Sequence, residues 1–292
     1  MLALDRLLRT EGGRLRIGWR LLLFFVVAAA VWVLVASLRP ADLLVTSTGL
    51  LVGSLVAGAL LLRMDGRRPG ALGFYLRPEA AVESLAGLVL GIAVGAAVVA
   101  AMAVVGAVRW APEEGDAASW LAGGAGALLW LALPAAAEEA LLRGYPLQSL
   151  AEAYGPWTAL IATSVLFGVL HFLNPGIGPL GAANIALAGL LLGVVYLRTR
   201  SLWWASGAHV GWNWALGWLA DVPVSGLELM DAPLYEGQPR GPAWLGGGAF
   251  GPEGSVVATV VVAAAAALCW RTPRLRPSRA ALEARPLALA RG

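Results

Sequence analysis

Apolar residues fill long runs along this chain, and polar and charged residues gather in the short stretches between the runs. Because a helix needs about 20 apolar residues to cross the hydrocarbon core of a bilayer, each long run predicts a membrane-spanning helix. The predicted spans are at 17–38, 43–62, 84–108, 119–145, 156–172, 182–197, 202–220 and 255–270. We therefore expect an all-α fold, a polytopic membrane helix bundle of about eight transmembrane helices.

The spans and the loops between them divide the chain into four regions. Residues 1–118 hold an N-terminal tail and the first three spans, and residues 119–220 hold a core of four spans. Residues 221–253 form an extracytoplasmic loop, and residues 254–292 hold the last span and a basic cytoplasmic tail. The first run is longer than the apolar region of a cleavable signal peptide, so we expect it to remain as a span.

Composition excludes a soluble domain. Hydrophobic residues make up 59% of the chain and charged residues 13%, with a mean hydropathy of +0.74. An ordinary soluble globule has about 25% charged residues. We therefore expect the lipid bilayer to be the chain's immediate partner. Its single cysteine, Cys269, lies in the last apolar run, which excludes a disulfide framework.

The arginines indicate orientation rather than nucleic-acid binding. All 21 basic residues are arginine, and most of them flank the apolar runs. All but three, namely Arg39, Arg109 and Arg240, lie on the side of the two termini. Because cytoplasmic loops carry an excess of Lys and Arg, we expect a multi-pass protein of the cell membrane with both termini in the cytoplasm. No nucleic-acid partner is expected.

Three charged residues, Glu138, Glu139 and Arg143, interrupt the fourth span. Each costs about 2.5–3.5 kcal/mol near the middle of a membrane helix, so such residues usually face a partner or a water-filled cavity. Glu139 and Arg143 are four residues apart, which predicts an ion pair on one helix face. Glu138 points about 100° away. We expect one acid to be neutralised and Glu138 to be kept for chemistry.

The chain has two histidines, His171 and His209, and both lie in apolar spans. Taken singly, each is more often a hydrogen-bonding group between helices than a catalytic one. With Glu138 they form a usable hydrolytic set, since a carboxylate accepts a proton and imidazoles hold or orient a water. Asn213, one turn after His209, adds an amide donor for an oxyanion.

The predicted spans place the two histidines at different depths in the membrane. His171 would lie about 22 Å along the fifth span and His209 about 10 Å along the seventh, so simple spans would keep them apart. We expect the amphipathic connector at 146–154 to dip into the protein, so that the fifth helix starts deeper.

Three motifs resemble those of one family, the CPBP intramembrane proteases, which include the CAAX-processing and bacteriocin-processing (Abi) proteins. The motifs occur in the family's order and are Glu138-Glu139-Ala-Leu-Leu-Arg143, Phe167-Gly-Val-Leu-His171 and His209-Val-Gly-Trp-Asn213. The resemblance implies that Glu138 and His171 activate a water, and that His209 and Asn213 stabilise the oxyanion. It implies that Glu139 and Arg143 give structural support, which makes 119–220 the catalytic core.

The resemblance implies an intramembrane endopeptidase, of glutamic or metallo type, that acts on a membrane-associated or lipid-modified peptide or protein. We expect no obligatory cofactor, although two histidines and a glutamate match the ligand count of a zinc site. We also expect a cavity that opens to the cytoplasm or the inner leaflet.

Two other functions remain open from the sequence. One is a non-catalytic membrane scaffold or bacteriocin-immunity protein of the same architecture. The other is a proton-coupled transporter with Glu and His as a relay, which the lack of an evident internal repeat disfavours.

Overall fold

The computed structural model describes residues 7–285, so the parts of the predicted cytoplasmic tails at 1–6 and 286–292 lie outside the described residues. The described chain is an all-α membrane helix bundle, which confirms the predicted fold class. Its helices are α1 (Ile17–Ala36), α2 (Leu43–Met64), α3 (Glu79–Val104), α4 (Ala117–Glu139), α5 (Tyr145–Tyr154), α6 (Pro156–Leu170), α7 (Pro179–Thr199), α8 (Leu202–Trp214), α9 (Ala243–Gly246), α10 (Val256–Arg271) and α11 (Arg279–Glu283).

Within residues 7–285, five helical segments are long and apolar enough to cross a membrane, which makes the chain a multi-pass membrane protein. They are Ile17–Ala36, Leu43–Met64, Glu79–Val104, Ala117–Tyr154 and Pro179–Thr199. Helices α6, α8 and α10 have 15, 13 and 16 residues and are shorter than a standard span. The count of about eight spans therefore stays a prediction.

The fourth segment differs from its prediction. Helix α4 does not stop near Tyr145 but continues through a π-helical stretch, Ala140–Gly144, directly into α5. The segment predicted as a separate connector is thus the end of a 38-residue helix, Ala117–Tyr154. A second π-helical stretch, Ala215–Leu219, follows α8. Such π bulges are often found at functional sites.

Side-chain caps begin several of these helices. Asp42 accepts hydrogen bonds from the first N–H groups of α2, and Asp116 does the same for α4. Ser201 and Ser255 cap α8 and α10. Each cap satisfies a helix N–H that has no partner within the helix.

Helices α3 and α8 lie with their backbones in contact, which sets the position of α8. A Cβ at Gly91 of α3 would come within 2.0 Å of the Ala208 carbonyl oxygen, and one at Gly211 of α8 within 2.2 Å of the Leu88 carbonyl oxygen. Small residues allow this close approach. Because Ala208 precedes His209, the contact also places the histidine.

A small antiparallel sheet covers one end of the bundle, where the sequence predicted only connections. Strand β1 (Val108–Pro112) pairs with β2 (Tyr235–Pro239), with Trp110 opposite Gly237. Helix α3 ends at Val104, and Gly106 then has a φ of 73°, so Val108 belongs to β1 rather than to the third helix. The sheet ties the connection before α4 to the long loop before α10.

Candidate active site

A buried ion pair lies at the junction of α4 and the π-helical stretch. Arg143 Nη1 donates to Glu139 Oε1 at 3.1 Å, and both side chains are 0% exposed. Arg143 Nη2 donates to the Gly189 carbonyl oxygen at 2.8 Å, and its guanidinium lies 4.6 Å from the centre of the Phe167 ring. The guanidinium therefore joins α4 to α6 and α7.

The same glutamate oxygen orients His209. His209 Nδ1 lies 3.1 Å from Glu139 Oε1. Because an ionised carboxylate only accepts hydrogen bonds, Nδ1 carries the proton and donates it. The other ring nitrogen, Nε2, then faces Glu138, with Glu138 Oε2 at 4.0 Å.

His171 has an equivalent arrangement from another helix. Its Nδ1 lies 2.8 Å from the Phe167 carbonyl oxygen, which can only accept, so Nδ1 is again the donor. Its Nε2 lies 3.9 Å from Glu138 Oε2. Glu138 Oε2 is buried and has no hydrogen-bond partner among residues 7–285. One carboxylate oxygen thus faces two imidazole nitrogens.

All four residues predicted as catalytic line one cavity of about 590 Å³. Asn213 joins Glu138, His171 and His209 there, from the helical turn that follows His209. The rest of the lining is mostly apolar. The arrangement supplies a carboxylate, two imidazoles and an amide around one space.

The structure adds residues to which sequence reasoning gave no role. The Phe167 ring lies 4.7 Å from the His171 ring and 5.9 Å from the His209 ring, so it packs against both imidazoles as well as against Arg143. Phe167 begins the second motif, which was the only signal for it. Gly189 had no signal in the sequence, because its importance comes from the arginine of another helix.

A second buried carboxylate, Glu253, lies on the cavity wall. It is 4% exposed, and its Oε1 accepts from Trp212 Nε1 at 2.9 Å. Its Oε2 accepts from the Ser225 hydroxyl at 2.8 Å and from the Ser225 backbone N–H. Asn174, after α6, donates to the Ser225 carbonyl oxygen at 2.9 Å. The long loop is therefore fastened to α8 beside Asn213.

The predicted explanation for the depth mismatch was wrong in one part: the connector is largely buried, as expected, but the fifth helix does not start deeper. Helix α6 starts at Pro156, directly after α5, and does not start deep in the bundle. Its Trp157 ring lies 4.5 Å from the ring of Trp270, at the very end of α10. Both helix ends are therefore at the same face of the bundle.

It is α8 that starts deep. The Leu202 N–H donates to the Gly73 carbonyl oxygen at 3.2 Å, and Leu202 Cδ1 is 3.9 Å from where a Cβ of Gly144 would lie. Gly144 is six residues after Glu138, or about 9 Å along the helix. His209, about 10 Å along α8, therefore reaches the level of Glu138.

The cavity extends away from the face that holds the chain ends. From Glu138 its lining follows α4 backward through Pro134 to Trp130, away from the face that holds the chain ends. On α1 the lining runs from Phe25 to Trp32, again away from that face. If the termini are cytoplasmic, the cavity does not open to the cytoplasm.

The carboxylate and the two imidazoles do not have the spacing of a zinc site. Ligand atoms about 2.0–2.1 Å from a tetrahedral zinc are about 3.3 Å from each other, whereas Glu138 Oε2 is 3.9 and 4.0 Å from the two Nε2 atoms. Within residues 7–285, no group of three His, Cys, Asp or Glu side chains is arranged to hold a metal ion.

The described residues form a membrane helix bundle with four polar side chains around one cavity. Residues 120–215 match the family model of the type II CAAX prenyl endopeptidase Rce1-like proteins. This range covers about a third of the chain and contains all six predicted site residues, and the match supports a CPBP/CAAX intramembrane protease family. Searches of curated proteins and of solved structures returned no match.

Proposed function

We propose that this protein is an intramembrane endopeptidase in which Glu138 and His171 activate a water, and His209 and Asn213 stabilise the oxyanion. The observation that carries the proposal is the position of Glu138 Oε2, 3.9 Å from His171 Nε2 and 4.0 Å from His209 Nε2. These distances are too long for direct hydrogen bonds. A water about 2.8 Å from two atoms, at about a right angle, joins atoms about 4 Å apart, so the spacing suits a bridging water.

In the first step the water attacks the carbonyl carbon of the scissile peptide bond. Its proton passes to the Glu138 carboxylate, and the carbonyl oxygen becomes an oxyanion. His171 orients the water by accepting its second hydrogen bond at Nε2, since Nδ1 holds the imidazole proton against the Phe167 carbonyl.

His209 and Asn213 receive the oxyanion. Asn213 donates from its amide, and His209 donates from Nε2 when the ring is an imidazolium. Glu139, which accepts from His209 Nδ1, supplies the counter-charge.

The second step breaks the peptide C–N bond. The oxyanion collapses to a carboxylic acid, and the leaving nitrogen takes the proton that Glu138 accepted in the first step. One water is consumed, and one new carboxyl end and one new amino end are formed. Glu138 returns to its ionised state.

The substrate we propose is a membrane-associated peptide or protein, with or without a lipid modification. A mostly apolar cavity among membrane helices suits a segment that is itself apolar. The matched family's description names a prenyl endopeptidase. Identification of the cleaved peptide would show whether the substrate of this protein is prenylated.

A comparison of peptide ends in the membrane fraction tests the proposal. Cells with the wild-type protein should contain new peptide ends that are missing with Glu138→Gln and present with Glu114→Gln, a matched change of an exposed glutamate in a loop. Identical peptide ends in all three strains, with full cellular function of Glu138→Gln, would favour the scaffold or immunity function. Proton-dependent flux in proteoliposomes that Glu138→Gln abolishes would favour the transporter.

A further inference from the structure

A layer of ion pairs closes the bundle between Glu138 and the face that holds the two chain ends. Arg20 of α1 donates to the Tyr145 hydroxyl at 2.6 Å and to Asp65 at 2.6 Å. Arg14 donates to Asp65 and to Glu152 of α5 at 3.0 and 3.1 Å. These bonds fasten the start of α1 and the end of α2 to α5.

The space between this layer and Glu138 is filled. Leu142 and Arg143, which lie between Glu138 and Tyr145 of this layer, are each 0% exposed, as is Tyr145 itself. The Phe24 ring stacks on the Tyr145 ring at 5.7 Å between centroids. A peptide could not reach Glu138 from this face without unpacking buried side chains and breaking buried ion pairs, which is costly.

The opposite end of the cavity is open. Four of its large apolar lining residues are exposed, namely Trp32 at 41%, Leu43 at 39%, Leu170 at 52% and Leu227 at 39%. Trp32 and Leu43 lie near the end of α1 and at the start of α2, and Leu43 and Trp130 also line an adjoining pocket formed with residues 39–44. This loop therefore marks the mouth of the cavity. Trp32 lies 12 residues beyond Arg20, or about 18 Å along α1.

We propose that the substrate reaches Glu138 through this mouth, from the face opposite to both chain ends. The arginine distribution assigns that face to the extracytoplasmic side. The substrate class is therefore a peptide segment presented in or at the extracytoplasmic leaflet, not a cytoplasmic C-terminus. The substrate part of this inference rests on the proposed protease function; the direction of access does not.

Cysteine accessibility tests the direction of access independently of catalysis. In a Cys269→Ser background, Phe25→Cys places a thiol in the cavity, only five residues beyond Arg20 of the layer of ion pairs. Val26→Cys is the matched control, because Val26 is 55% exposed on the same helix and does not line the cavity. Leu76→Cys marks the face of the chain ends and Glu114→Cys the opposite face.

The probe is a charged, membrane-impermeant maleimide, applied to vesicles of each orientation. We expect Phe25→Cys to react from the face of Glu114→Cys at least about tenfold faster than from the face of Leu76→Cys, because the reagent needs a hydrated thiolate. Val26→Cys should stay unreactive from both faces. Reaction of Phe25→Cys from the face of Leu76→Cys, or from neither face, would overturn the proposal.

The outcomes separate the two proposals. If Phe25→Cys reacts as expected but Glu138→Gln leaves every peptide end unchanged, the direction of access stands and the protease function fails. If peptide ends change but lie in cytoplasmic segments, the protease function stands and the extracytoplasmic substrate class is wrong. Peptide ends in extracytoplasmic segments, together with the expected labelling, support both.

Discussion

His209 and Glu139 lie 3.1 Å apart, Nδ1 to Oε1, although 70 residues separate them in the chain. The same carboxylate oxygen accepts from Arg143 at 3.1 Å. Glu139 therefore has two tasks, to compensate a buried guanidinium and to hold one tautomer of the histidine. Its neighbour Glu138 is left facing the two Nε2 atoms.

The buried pair predicts non-additive stability effects. Glu139→Gln leaves Arg143 as an uncompensated buried charge, so its free energy of unfolding should fall by about 3–5 kcal/mol. Arg143→Met should cost a similar amount, and the double variant should lose less than the two single losses together. Melting temperatures of the purified proteins in one detergent give the comparison.

In these Glu139 and Arg143 variants, the loss of cleavage activity should not run in parallel with the loss of stability. The double variant still lacks the carboxylate that orients His209, so it should remain inactive even where its melting temperature recovers. Recovered activity in the double variant would show that Glu139 has no role beyond its pair with Arg143.

The surroundings of Gly189 leave no room for even the methyl side chain of alanine. A Cβ there would lie 3.1 Å from Phe167 Cβ and 3.3 Å from Arg143 Nη2, so Gly189→Ala should destabilise the protein by about 1–3 kcal/mol. Gly126→Ala is the matched control in α4, since its Cβ would meet nothing within 4 Å. That variant should be neutral or gain up to about 1 kcal/mol. Equal melting temperatures for both variants would contradict the close packing of α7 on Arg143.

The loop before β2 contains a group that should make stability depend on pH. Burial raises the pKa of Asp221 from 3.8 to about 6. The hydrogen bond that its carboxylate accepts from the Ala232 N–H acts in the other direction and lowers the pKa. Between these two values the folded state binds more protons than the unfolded state, so stability should fall as pH rises and level off above pH 6.

Asp221→Asn removes this dependence while keeping an acceptor, and asparagine tolerates the φ of 50° found there. The difference in melting temperature between Asp221→Asn and the wild type should therefore grow in favour of the variant from pH 4 to about 6 and then stay constant. A difference that does not change with pH would show that Asp221 ionises normally in the folded protein.

A metal should not be required. Because the Glu138 oxygen and the histidine nitrogens are spaced for a bridging water rather than for zinc ligation, we expect full cleavage activity after exhaustive chelation. Elemental analysis of the chelated enzyme is the accompanying measurement. Loss of activity that is restored by one zinc per chain would contradict the proposed mechanism.

The helix bundle and the ion pair were predictable because both follow from local rules. A bilayer demands apolar runs of a set length, and a four-residue spacing brings Glu139 to Arg143 on any helix. The way in which His171 and His209 reach the same level was not predictable, since it depends on where α8 begins. That start is set by the contact of Leu202 with Gly73 and Gly144, which no local pattern reveals.

The sequence also could not predict which end of the cavity is closed. It depends on Arg20, whose partners Tyr145 and Asp65 lie 125 and 45 residues away. The arginine count suggested only that Arg20 flanks a span, and not that it closes one end of the bundle. Charge counting indicates orientation, whereas tertiary contacts decide which end is closed.

The most direct test compares purified wild type and Glu138→Gln in one detergent, on a membrane peptide whose ends change in cells. Because Glu138 lies 34% exposed and outside the Glu139–Arg143 pair, the variant should keep its melting temperature. Its cleavage rate should fall by about 10²–10⁴-fold through loss of the general base. A folded Glu138→Gln variant that cleaves the peptide at the wild-type rate would contradict the central claim.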